Sequence, residues 1–89
     1  MEQSNVSIGA TSAVVIDHSP TGEISYCLIQ NTHASQDLYI RLDGATVTTA
    51  NGVKIAAGKA YEHHFRTPIK NDITGIASGA STTAITTHE

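Results

Sequence analysis

Histidine has the widest chemical reach of the residues in this chain, with five among 89 residues, at His18, His33, His63, His64 and His88. Neutral imidazoles bind zinc and copper, and a closed zinc site needs three or four ligands that converge on one point. The spacing does not supply that convergence. His63 and His64 are adjacent in the alternating run Ala-Tyr-Glu-His-His-Phe-Arg, so a strand sends them to opposite faces. Glu62 with His64 is the one i, i+2 pair that a strand would place on a common face. His18 and His33 fall in separate polar turns and His88 lies in the tail. The expectation is no metal and no cofactor. His63 reads as half-buried beside Tyr61 and Phe65, and His64 as facing solvent or a partner.

Cys27 is the one thiol. A catalytic cysteine needs an exposed turn and a neighbouring base. Cys27 instead stands between Tyr26 and Leu28 in an apolar run, where a thiol acts as a small buried hydrophobe. The acids Asp17, Glu23, Asp37, Asp43 and Asp72 sit at strand ends or in turns, where carboxylates hydrogen-bond their own backbone. No loop alternates oxygen ligands as calcium requires. Neither a glycine-rich phosphate cradle nor a nucleophile elbow occurs. An enzyme is not expected.

The elements that would position these residues are short strands. Residues 13–17 and 24–31 are apolar on both faces at their centres, as in strands covered on both sides. In residues 38–43, Leu38, Ile40 and Leu42 alternate with Tyr39, Arg41 and Asp43, which puts the three aliphatics on a core face opposite Ile29 or Leu28. Asp43-Gly44 and Asn51-Gly52 are hairpin signals, and they predict short strands at 45–49 and 53–55, with a loop over these residues as the alternative. Residues 60–66 alternate again, and 72–78 with 82–87 predict a closing hairpin around Ser78-Gly79-Ala80. No window sustains a helical period. The predicted fold is all-β: a small antiparallel β-sandwich or barrel of seven to eight short strands with no substantial helix. Residues 1–9 are expected as an N-terminal arm, and 10–89 as a single sandwich domain.

Bulk composition limits function. A chain this short buries a modest core, and this one has no Trp and one Phe. Without a disulfide or metal to brace it, association is the remaining source of buried area. The net charge is −3 and the cations are scattered along the chain, so nucleic acid is not an expected partner. No run approaches the roughly twenty apolar residues of a membrane helix. The start Met-Glu-Gln-Ser-Asn lacks the basic and apolar regions of a signal peptide, which predicts a protein made and kept in a cytoplasm.

One longer pattern covers the chain from Tyr26 onward. It comprises Ile29-Gln30-Asn31-Thr32, then Leu38-Tyr39-Ile40-Arg41-Leu42-Asp43-Gly44, a Thr/Ala-rich hairpin and the turn Ile55-Ala56-Ala57-Gly58. Ile73-Thr74-Gly75-Ile76-Ala77-Ser78-Gly79 then precedes a Thr-rich strand. This resembles small virion proteins of tailed bacteriophages, of the capsid decoration (cement) or head–tail accessory type. The resemblance implies a non-enzymatic protein of the virion that clamps major capsid subunits, as a homotrimer or an array on the shell. A head–tail connector or tail accessory is the alternative within that class. A small carbohydrate-binding β-sandwich, displaying Tyr26, Tyr39 or Tyr61, is the alternative outside it.

The residues expected at contacts are Glu2, Ser4, Val6 and Ile8 of the arm, which either adds to a neighbour's sheet or is simply a frayed terminus. His33, Gln36 and Asp37 of one loop, and Asp43 and Gly44 of another, complete the set. An arm of this kind predicts that deleting residues 2–9 leaves the sandwich folded.

Overall fold

The computed structural model describes residues 2–17, 23–63, 69–79 and 81–88. Eight strands run in chain order: β1 (Glu2–Gly9), β2 (Ala13–Ile16), β3 (Cys27–Asn31), β4 (Leu38–Arg41), β5 (Val53–Ile55), β6 (Ala60–His63), β7 (Ile73–Ala77) and β8 (Ser81–His88). They form two four-stranded sheets, β1-β8-β3-β6 and β2-β7-β4-β5. Every pairing is antiparallel. The fold is therefore all-β, a sandwich without helix among the described residues, as the turn spacing predicts.

The pairing is nested. β4 pairs with β5, β3 with β6, β2 with β7 and β1 with β8. One long hairpin is thus rolled over itself, and β3–β8 and β4–β7 close the two sheets. That is the topology of a jelly roll.

Isoleucine builds the core between the sheets. Ile8, Ile29 and Cys27 come from one sheet, Ile16, Leu38, Ile40, Ile55 and Ile73 from the other, and all are buried. Branched side chains suit this setting because they lose little χ1 freedom on a pleated surface. The alternation in β4 falls as the sequence predicts, with Leu38 and Ile40 fully buried, Tyr39 and Arg41 half-buried, and Leu42 packed against the core's rim. Ile24 and Ile69 close one end by exchanging backbone hydrogen bonds of 2.6 and 2.9 Å. Gly75 leaves room for Val15 of the neighbouring strand β2, whose Cγ2 would stand 2.5 Å from a Cβ there.

Four expectations are corrected. The residues read as an arm, Glu2–Gly9, are β1, paired with β8 from Glu2↔His88 to Gly9↔Ser81. Residues 45–49 are not a strand; residues 42–52 form one loop between β4 and β5. That loop is held by side chains: Thr74 Oγ1 donates to the Ala45 carbonyl at 2.7 Å, and the Val47 N–H donates to Ser12 Oγ at 3.1 Å. Val47 is buried beneath it, which β-propensity alone does not anticipate. β7 and β8 lie in different sheets, so the predicted closing hairpin is a crossover. β3 buries one face only, with Leu28 and Gln30 on its half-buried outer side. His18, His64, Phe65 and Arg66 lie outside the described residues.

Candidate functional site

Among the described residues no three His, Cys, Asp or Glu side chains stand together as metal ligands. Cys27, His63 and His88 are cross-strand neighbours on β3, β6 and β8, but the thiol is fully buried. Burial pushes the Cys27 thiol up to about 11, and the His63 backbone amide only partly opposes this. At pH 8 such a thiol is about one-thousandth ionised, against roughly a quarter for a free cysteine near 8.5. We expect iodoacetamide to spare Cys27 in the folded protein and to label it stoichiometrically in denaturant. Because folding raises this pKa, the stability it represents is complete below the unfolded value. It is lost as pH climbs through about 11, so melting should fall in alkali. Rapid labelling of the native protein would show Cys27 to be reachable.

The polar loops expected at contacts are largely occupied within the chain. His33 Nδ1 accepts the backbone N–H groups of Ser35 and Gln36 at 3.0 and 2.9 Å. Asp37 accepts from the Ala57 N–H at 3.3 Å and faces Lys54 Nζ at 3.5 Å. Gln36 lies against Gly79 with its Oε1 buried. Asp43 accepts from Arg41 Nε at 3.0 Å and from the Ala45 N–H at 3.1 Å. The Arg41 guanidinium holds its carboxyl down to about 2. Gly44 follows with φ at +75°, the left-handed conformation that a side chain resists.

Asn31 organises this region, and sequence reading passes over it as strand-end punctuation. Its amide donates to the Gln36 and Ile55 carbonyls at 2.8 and 3.0 Å. Its Oδ1 accepts from the His33 N–H at 3.1 Å and from Thr82 Oγ1 at 2.8 Å. The side chain is buried, so all four bonds form where water cannot substitute. The signal available in the sequence was an amide directly after a strand's last aliphatic and before a turn-rich loop.

Among the described residues the sheet edges present unpaired backbone groups. Three are blunted as monomeric proteins blunt them. β2 is short and its register shifts between Val14 and Ile16. β5 has three residues, one of them Lys54. β6 follows Lys59 and contains Glu62. β1 differs: it runs eight residues in continuous register and contains no Pro, Lys or Arg, with Glu2 as its one charge. Of the arm residues singled out, Ile8 is in the core and Val6 packs against it, so neither is available to a neighbour. Ser4 is exposed; of Glu2 only its place in the strand is described.

No family model matches the chain, and no curated protein does. A solved structure that does match is titled "Bacillus endospore appendages form a novel family of disulfide-linked pili". It is 18% identical, with a TM-score of 0.48, over 96% of this chain and 83% of that one. The phage resemblance is corrected accordingly, because the match found is a bacterial appendage protein and not a virion component. Asn31-Thr32, Asp43-Gly44 and the glycine of β7 are punctuation that a rolled sandwich requires, so they specify architecture and not role. The decoration and head–tail readings, the capsid partner, the shell-bound trimer and the virion location fall with it. The carbohydrate alternative lacks its platform: Tyr26 donates to Glu62 at 2.8 Å, Tyr61 packs against the core, and Tyr39 lies in the other sheet.

Proposed function

We propose that this chain is a non-enzymatic structural subunit whose working form is an assembly of copies joined at sheet edges. The observation that carries the reading is β1, a long and nearly uncharged edge strand left without the devices that keep monomers apart. Its outer N–H and C=O groups can extend a neighbour's sheet by backbone hydrogen bonds, with little side-chain burial required. Supporting it, the described residues hold no convergent metal ligands, no cysteine pair and no aromatic cluster. A disulfide between folded copies is not the linkage here, since Cys27 is enclosed in the core.

Sedimentation velocity across a concentration series tests this reading. The wild-type chain should sediment as species larger than 9.3 kDa, shifting upward with concentration. Asn5→Lys with Ser7→Lys puts two charges on exposed positions of β1 and should give a monomer with unchanged circular dichroism. A wild-type chain that stays monomeric into the millimolar range would overturn the reading.

A further inference from the structure

Asn51-Gly52 stands at the end of the loop 42–52, directly before β5. Packing requires the glycine there: a Cβ at this position would stand 2.9 Å from both Tyr39 Cβ and Val47 Cγ2. Asn51 is exposed, and its side chain is tied back to the turn. Its Oδ1 accepts the Thr48 N–H at 2.7 Å, and its own N–H donates to the Thr48 carbonyl at 3.3 Å. The ladder with β4 starts only after Gly52, with Val53 opposite Ile40.

This arrangement brings the elements of one reaction together. A carboxamide carbon is followed by a main-chain nitrogen that no Cβ shields. The Thr48 N–H already donates to the oxygen on which negative charge builds when that carbon is attacked. The other asparagines lack the combination. Asn5 and Asn31 precede the β-branched Val6 and Thr32, whose side chains crowd the following nitrogen. Asn31 is also buried, with its amide committed to two carbonyls. Asn71 precedes Asp72, whose negative charge opposes ionisation of its own main-chain nitrogen.

The geometry points to Asn51 as a site of spontaneous modification, its carboxamide converted by water to aspartate and isoaspartate in the folded chain. The Gly52 nitrogen loses its proton to solvent base and bonds to Asn51 Cγ. The carboxamide nitrogen takes up a proton and leaves as ammonia, closing a cyclic imide. Water then opens the ring. Addition at Cγ breaks the Cγ–N bond and restores the main chain with aspartate. Addition at the Asn51 main-chain carbonyl breaks the peptide bond and routes the chain through Cβ and Cγ. Either way the Gly52 nitrogen regains its proton, and the sum is amide plus water to acid plus ammonia. The products differ in what they do to the fold. Aspartate keeps the oxygen that accepts from Thr48, whereas isoaspartate adds a methylene to the main chain ahead of β5 and strains its pairing with β4. This inference stands whether or not copies associate.

Wild-type protein aged in the folded state at neutral and mildly alkaline pH tests this. The readouts are peptide mapping by mass and methyl transfer from S-adenosylmethionine by an isoaspartyl methyltransferase. The expected result is acid at Asn51 ahead of Asn5, Asn31 and Asn71, forming faster in proportion to hydroxide. Methyl label should enter the aged wild type and be lost from Asn51→Gln. The isoaspartyl fraction, isolated by chromatography, should melt below unaged wild type, while fresh Asn51→Asp melts with it. Conversion in urea with none in the folded chain would overturn the proposal, because the turn would then protect Asn51. Conversion first at another asparagine would overturn it equally. An isoaspartyl fraction that melts with the wild type would overturn the strain assigned to β5.

Discussion

Deleting residues 2–9 should abolish the cooperative unfolding transition or lower the melting temperature by on the order of 15 °C or more. β1 supplies Ile8, fully buried, and Val6, packed against the core, and it covers the β8 flank that carries buried Thr82, Ala84 and Thr86. Losing Ile8 alone forfeits roughly 1.5–3 kcal/mol of burial. The backbone groups of β8 would lose a partner strand along their whole length. Removing only residues 2–4 is the control, because Gln3 and Ser4 are exposed and lie beyond the core; that truncation should shift melting by a few degrees. A chain lacking residues 2–9 that melts with the wild type would mean that β1 is dispensable to the fold.

Asn31→Ala should cost about 3–5 kcal/mol, since it strands the Gln36 and Ile55 carbonyls, the His33 N–H and the Thr82 hydroxyl together. For a domain of this size the whole stability is on the order of 5–10 kcal/mol. Asn31→Asp separates hydrogen bonding from shape. It preserves size and the two acceptor contacts but replaces the donor with a carboxylate oxygen facing two carbonyls in a buried site. It should therefore be as damaging as alanine at neutral pH, and partly relieved in acid, where the protonated carboxyl can donate once. Urea denaturation of the three proteins at neutral and acid pH measures both effects. An Asn31→Asp protein as stable as wild type at neutral pH would show that the two donated bonds contribute nothing.

The strands that reveal themselves in the sequence are those whose alternation is driven by burial. Leu38 and Ile40 against Tyr39 and Arg41 are legible because one face meets the core and the other does not. β1 hides because only Val6 and Ile8 of its eight residues touch apolar surroundings, and its partner strand lies at the far end of the sequence. Residues 45–49 mislead in the other direction. Thr and Val favour extended backbone, yet this segment spends its hydrogen bonds on Thr74 and Ser12 side chains and not on a neighbouring strand. β7 and β8 are legible as strands, but nothing local records that the chain changes sheets between them. Contact residues fared similarly. Polarity marked His33, Asp37 and Asp43 as surface groups, while the geometry that commits their side chains to the chain itself arises only after folding.

The nested pairing also sets an order of events in folding. β4 and β5 are separated by one loop and can zip early, whereas β1 has to find β8, with Gly9 opposite Ser81 and Glu2 opposite His88, partners 72 to 86 positions apart. Loop-closure entropy of that size must be met before the contacts reward it, which places this topology among domains that fold in milliseconds to seconds and not in microseconds. On the ribosome, β1 and β2 emerge first yet have no partners until β7 and β8 follow. For that interval the strand with the least protected edge is also the one left waiting, so a crowd of nascent chains can capture one another through β1 before each has closed its own roll.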